Sequence, residues 1–141
     1  MDHGTVTPHP AVDSAVLEQH ATEAARNAYA PYSKFYVGAA ILLSNGEVVT
    51  GCNVENASYR LTTCAEQNAI AAAVAKFGPA IRVIAAAVVN AAQTPCQPCG
   101  ACRQTFAEFA SSDAPVSFPG EAGVTVHSTV GELLPAAFEL L

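Results

Sequence analysis

A chain of 141 residues is the common size of one domain, and folding buries roughly two-thirds of the surface that its unfolded form exposes. Hydrophobic residues make up 51% and charged residues 13%, yet the apolar runs are short and broken by Gly, Pro or charge, so none is long enough to span a bilayer. Six Lys plus Arg against twelve Asp plus Glu leave a net charge of -6, which offers no basic stripe for phosphates and disfavours a DNA or RNA partner.

The stretch Met1–Pro10 has neither the basic start nor the apolar middle of a secretory signal; it is expected to be a flexible tail before a single domain over 11–141. Val16, Leu17, Ala21, Ala24, Ala25 and Ala28 recur at three- and four-residue spacing, predicting an amphipathic helix from Asp13 to Tyr29 capped by Asp13 or Ser14. Ala30-Pro31-Tyr32-Ser33 stops it. Strands over Tyr36–Leu43 and Glu47–Asn53 follow, joined at Ser44-Asn45-Gly46, since Asn-Gly is the strongest short hairpin signal.

Thr62 or Thr63 is expected to cap a second helix that runs to about Phe77, with Glu66 reaching back near its start and Gly78-Pro79 ending it. Ile81–Val89 is a continuous apolar run of strand length, typical of a strand covered on both faces. A third helix begins near Cys99 and carries Phe106 and Phe109 inward. Short strands at Val116–Phe118 and Val124–His127 precede a helical turn, Val130–Leu134, halted by Pro135. This order predicts an α/β domain with a mixed sheet of about five strands and helices on both faces. The surplus of apolar residues has to enter a large core or subunit contacts, so an oligomer is expected.

Five cysteines, an odd number grouped as Cys52, Cys64 and the run Cys96, Cys99, Cys102, match a disulfide scaffold poorly and suit a metal site in a reducing cytoplasm. Cys64, Cys99 and Cys102 fall where helices are expected to begin, and a helix N-terminus lowers thiol pKa and favours thiolate. Zinc is the metal that thiolates select; three would leave the fourth tetrahedral position to water, as in a catalytic site. Glu66, two residues after Cys64, is placed to shuttle protons. A closed structural site that recruits Cys96 as fourth ligand is the rival reading. Cys52 reads as a buried apolar thiol, and His3, His9, His20 and His127 share no ligand spacing.

Cys64-Ala65-Glu66 followed by Pro98-Cys99-Gly100-Ala101-Cys102 resembles the zinc nucleoside deaminase signature in its three-cysteine form. With Ala30-Pro31-Tyr32-Ser33-Lys34-Phe35, Val37-Gly38-Ala39-Ala40, Asn53-Val54-Glu55-Asn56-Ala57, Leu133-Leu134-Pro135 and Phe138, the chain is similar to the small homotetrameric cytidine deaminases. That resemblance implies a three-layer α/β/α fold and one zinc ion per chain. It also implies hydrolysis of cytidine, and of deoxycytidine, to the uracil nucleoside and ammonia in pyrimidine salvage. Phe35 then packs beside the nucleoside, Asn53 and Glu55 hydrogen-bond the sugar, and backbone groups around Ala65 help present the ring. Tyr59 and Phe138 reach a neighbouring subunit's site. Many three-cysteine relatives carry an Arg after the Glu that donates to the zinc-bound sulfurs. Gln67 stands there in this chain, a pairing similar to the dimeric branch, and either Arg103 supplies the missing positive charge or the helix dipoles suffice. An antibiotic nucleoside of the blasticidin kind is the alternative substrate.

Overall fold

The computed structural model describes residues 13–141. The expected tail therefore lies outside the described residues, as do His3 and His9. Helix α1 spans Ser14–Ala25, and the Asp13 carboxylate caps it by accepting from Ala15 N–H at 3.1 Å. Such a cap contributes about 1 kcal/mol. The helix ends four residues before Tyr29 although the apolar spacing continues. Tyr29 is needed elsewhere: it bridges Val54 in parallel fashion, and Tyr29 N–H donates to Asn53 O at 3.0 Å.

Strands β1 (Val37–Leu43) and β2 (Val48–Cys52) form the expected hairpin, with Gly46 at φ +87° in its turn. Helix α2 covers Ala65–Phe77 and is capped by Cys64, not by Thr62 or Thr63. Thr62 closes a 3₁₀ turn over Tyr59–Leu61 and Thr63 is bridged to Val54, so the chain stays extended until Cys64. The side chain that reaches back to the cap is Gln67, whose Oε1 accepts from Cys64 N–H at 3.4 Å, rather than Glu66. Strand β3 runs Val83–Asn90, starting two residues after Ile81. Helix α3 (Gly100–Phe109), strands β4 (Pro115–Pro119) and β5 (Thr125–Thr129) and helix α4 (Val130–Leu133) complete the order.

The sheet order is β2-β1-β3-β4-β5, parallel only between β3 and β4 and antiparallel elsewhere. The interior strand β1 is buried along its whole length because both of its faces are covered. On one face Ala40, Leu42 and Ala87 pack against Leu17 and Ala21 of α1. On the other, Ala39, Ile41, Val88 and Val116 meet Ala69, Ile70 and Ala73 of α2 and Phe106 of α3, with Phe109 partly buried at the edge. This is the three-layer α/β/α arrangement. It sets the N-termini of α2 and α3 side by side. No helix among the described residues is long and apolar enough to cross a membrane.

Candidate metal centre and nucleoside site

Cys64 and Cys99 are the N-caps of α2 and α3, and Cys102 lies in the first turn of α3. Their sulfurs all lie within 4.8 Å of one another, with Cys64 Sγ 3.8 Å from Cys99 Sγ and Cys99 Sγ 3.4 Å from Cys102 Sγ. Tetrahedral zinc with bonds of about 2.3 Å needs sulfurs about 3.8 Å apart, so the donor set and its spacing fit that ion. Among the described residues this is the one cluster of three or more His, Cys, Asp or Glu side chains placed to share a metal, and Cys96 is not a member. Cys102 is buried, Cys64 half-buried and Cys99 exposed, so the cluster opens to solvent on one side.

The three thiols share protons. S–H donation from Cys102, and secondarily from Cys99, pulls Cys64 down to about 7 against the opposing effects of burial and Glu66. Cys102, sharing its proton with Cys64 and buried beside Glu66, is pushed up. Glu66, in the first turn of α2, is only 4% exposed, and burial holds its carboxyl above the ordinary carboxylate range. Burial likewise raises Cys96, whose N–H is spent on Pro119 O at 3.0 Å.

The chain belongs to the cytidine and deoxycytidylate deaminase family. Its family model, described as the cytidine and deoxycytidylate deaminase zinc-binding region, matches residues 12–117. The chain is 45% identical over 128 residues to the cytidine deaminase of Halalkalibacterium halodurans, covering 90% of this chain and 95% of that one. It is 44% identical over 131 residues to that of Mycobacterium tuberculosis, covering 93% of each. The crystal structure of the M. tuberculosis cytidine deaminase superposes with a TM-score of 0.79 at 43% identity, covering 92% of this chain and all of that one. The fold and the three-cysteine zinc centre are thus those of a zinc-dependent deaminase, with one ion per chain.

The other predicted site residues occupy the surroundings of this centre unevenly. Ala65 is buried directly after the first ligand, and the half-buried Phe35 packs against the main core. The buried Asn53 carboxamide is engaged at both ends, accepting from Val37 N–H at 2.9 Å and donating to Phe35 O at 2.8 Å. Glu55 accepts from Tyr32 N–H at 3.0 Å, from Ser33 N–H at 3.1 Å and from the Ser33 hydroxyl. The hydroxyl, and then the two amides and Lys34, hold its pKa below the ordinary 4.5. Glu55 and Tyr59 share a groove of about 390 Å³ with Tyr32, Ser33, Asn56 and Thr62. Tyr59 and Phe138 are 80% and 69% exposed.

Arg103 takes a different post from the one expected. Its guanidinium donates to Pro98 O at 2.7 Å, Leu133 O at 2.9 Å and Gln97 Oε1 at 3.0 Å, and not to a ligand sulfur. It ties the cysteine loop to the C-terminal segment, where Gln104 Nε2 also reaches Phe138 O at 3.1 Å. Asn68 is a positioning residue with no sequence signal: from α2 it donates to Cys52 O at 2.7 Å and Thr63 Oγ1 at 3.0 Å, fastening the ligand-bearing turn to β2. His20 and His127 are exposed and outside the cluster, and Cys52 is half-buried, less enclosed than its apolar reading implies.

Proposed function

We propose that this protein hydrolyses cytidine, and deoxycytidine, to the corresponding uracil nucleoside and ammonia. The observation that carries the reading is the convergence of Cys64, Cys99 and Cys102 on one point beside the buried carboxyl of Glu66. The three cysteines would hold one zinc ion, which when bound acidifies water and acts as a Lewis acid. Glu66 takes the proton released by the attacking water and delivers it to N3 of the cytosine ring, which makes C4 electrophilic. It then carries a second proton to the amine, and ammonia leaves as the carbonyl forms. A carboxyl shielded from water and held above the ordinary range is suited to accept and return a proton near neutral pH.

Phe35 borders the nucleoside, Asn53 and Glu55 take its sugar, and the backbone at Ala65 presents the ring. Gln67 caps the ligand-bearing helix, and Arg103 braces the cysteine loop. The exposure of Tyr59, Leu61 and Phe138 supports a homotetramer in which these side chains complete a neighbour's site. Free thiols and an acidic surface support a cytoplasmic enzyme of pyrimidine salvage that acts on small molecules and not on nucleic acid.

The test incubates purified protein with cytidine, deoxycytidine, cytosine, a blasticidin-type nucleoside and single-stranded DNA, following ultraviolet absorbance and ammonia. Turnover of the two pyrimidine nucleosides is expected. Turnover of the antibiotic, the free base or DNA without them would overturn the assignment.

A further inference from the structure

The turn between α1 and β1 is held by a relay of hydrogen bonds that runs through one hydroxyl. Phe35 N–H donates to Ser33 Oγ at 3.0 Å, and the same hydroxyl donates to Glu55 Oε2. The other oxygen, Oε1, is taken by Tyr32 N–H and Ser33 N–H. The segments joined here are 22 residues apart in the chain. The turn also contains Lys34 at φ +58°, a left-handed conformation that costs a non-glycine residue about 1 kcal/mol and persists only where neighbours enforce it. Asn53 makes a second, parallel connection from the same strand end to Phe35 O and Val37 N–H. Asn53 is buried and clamps main chain; Ser33 is exposed and touches the one carboxylate that faces the groove.

We infer that Ser33 is a positioning residue for substrate selection, aiming the Glu55 carboxylate at the sugar while fixing the backbone of Phe35 beside the base. The inference rests on the reading of Glu55 as a sugar contact. Without the hydroxyl, Oε2 loses its only side-chain donor and the carboxylate can swing about the two amides that hold Oε1. Phe35 N–H loses its acceptor at the same time.

The experiment compares kcat/KM for cytidine with that for 2′,3′-dideoxycytidine, which lacks both ring hydroxyls; where the latter turns over slowly it is measured as a competitive inhibitor. Ser33→Ala is expected to lower the preference for cytidine about tenfold, the size of one hydrogen bond to a charged group, through KM and not kcat. Ser33→Thr keeps the hydroxyl at an exposed position and is expected to restore the preference. An equal loss on both substrates would reduce Ser33 to a structural residue, and no change would remove it altogether; either result overturns the inference. Glu55→Gln separates the two levels. If it leaves the preference at the wild-type value, the sugar-contact reading fails and Ser33 falls with it. If it abolishes the preference while Ser33→Ala does not, the role of Ser33 alone fails.

Discussion

Replacing Gly51 by alanine tests whether β2 fixes the helix that carries Cys64 and Glu66. A Cβ at this position would lie 2.4 Å from Ala69 N, 2.5 Å from Ala65 O and 3.0 Å from Ala69 Cα, all main-chain atoms of α2. Carbon contacts settle at about 3.5 Å or more, so strand and helix have to part by roughly 1 Å. No rotamer change relieves the clash, and Asn68 holds the two elements together through Cys52 O. Overpacking of this kind costs about 3 kcal/mol, the upper end of its usual range. For a chain of this size that lowers the melting temperature by roughly 10 °C. A displacement of about 1 Å in catalytic groups costs on the order of 100-fold in turnover, so kcat falls even where the variant is fully folded. Gly46→Ala is the control. Its φ of +87° makes alanine strained by about 1 kcal/mol, but nothing lies within 4 Å of the added methyl group, so a small drop in melting temperature and an unchanged kcat are expected. Circular dichroism melts, zinc content and initial rates well below both transitions decide the matter. A Gly51→Ala protein that melts within about 2 °C of wild type with undiminished kcat would refute the claim that this contact sets the helix.

Glu66→Gln is expected to keep full zinc content while losing at least about 1,000-fold in kcat, because it removes the one group assigned to both proton transfers; near-native rates would end that assignment. Cys96→Ser should leave zinc stoichiometry and activity intact whereas Cys102→Ser loses both, read by metal analysis after dialysis. Loss of metal in Cys96→Ser would reinstate a four-cysteine structural site. Glu55 has a folded pKa below its unfolded one, so the stability it contributes is present above pH 4.5 and disappears as pH falls through its folded value. The stability difference between wild type and Glu55→Gln, followed by denaturant titration, should therefore shrink on acidification below pH 4.5. A difference that is flat or grows there contradicts the hydrogen bonds drawn to Glu55.

Residues whose type is dictated by chemistry or by local backbone geometry are legible in this sequence. Asn45-Gly46 announces the hairpin because a tight turn demands positive φ, and Gly46 supplies it. The apolar run of β3 shows a strand covered on both faces, and the Cys64, Cys99, Cys102 spacing shows zinc because few side chains can hold it. Illegible are the decisions made by residues distant in the chain. The periodicity of α1 continues to Ala28, but pairing of Tyr29 with Val54 ends the helix earlier. Thr63 is the better cap by propensity, yet that same Val54 holds it extended and passes the cap to Cys64. Asn53 and Glu55 announce a sugar loop only through family resemblance. Their use of Phe35, Val37 and Ser33 depends on two loops meeting, which no local pattern encodes.

The electrostatics of the metal centre follow from the same cap positions. Three thiolates around a divalent ion leave a formal charge of about -1, and Glu66 adds a carboxyl beside it. Neutral Gln67 turns its oxygen to the Cys64 amide, and Arg103, the side chain expected to offset that charge, spends its guanidinium on Pro98, Leu133 and Gln97. Cys64 and Cys99 are the N-caps of α2 and α3, so both helix N-termini lie at the cluster, each equivalent to roughly half a positive charge. Two such ends approximately offset the excess, without a side-chain cation that would compete for the Glu66 carboxylate. Placing two ligands at helix caps and the third in the first turn of α3 therefore does two jobs: it brings the three sulfurs together and offsets their charge.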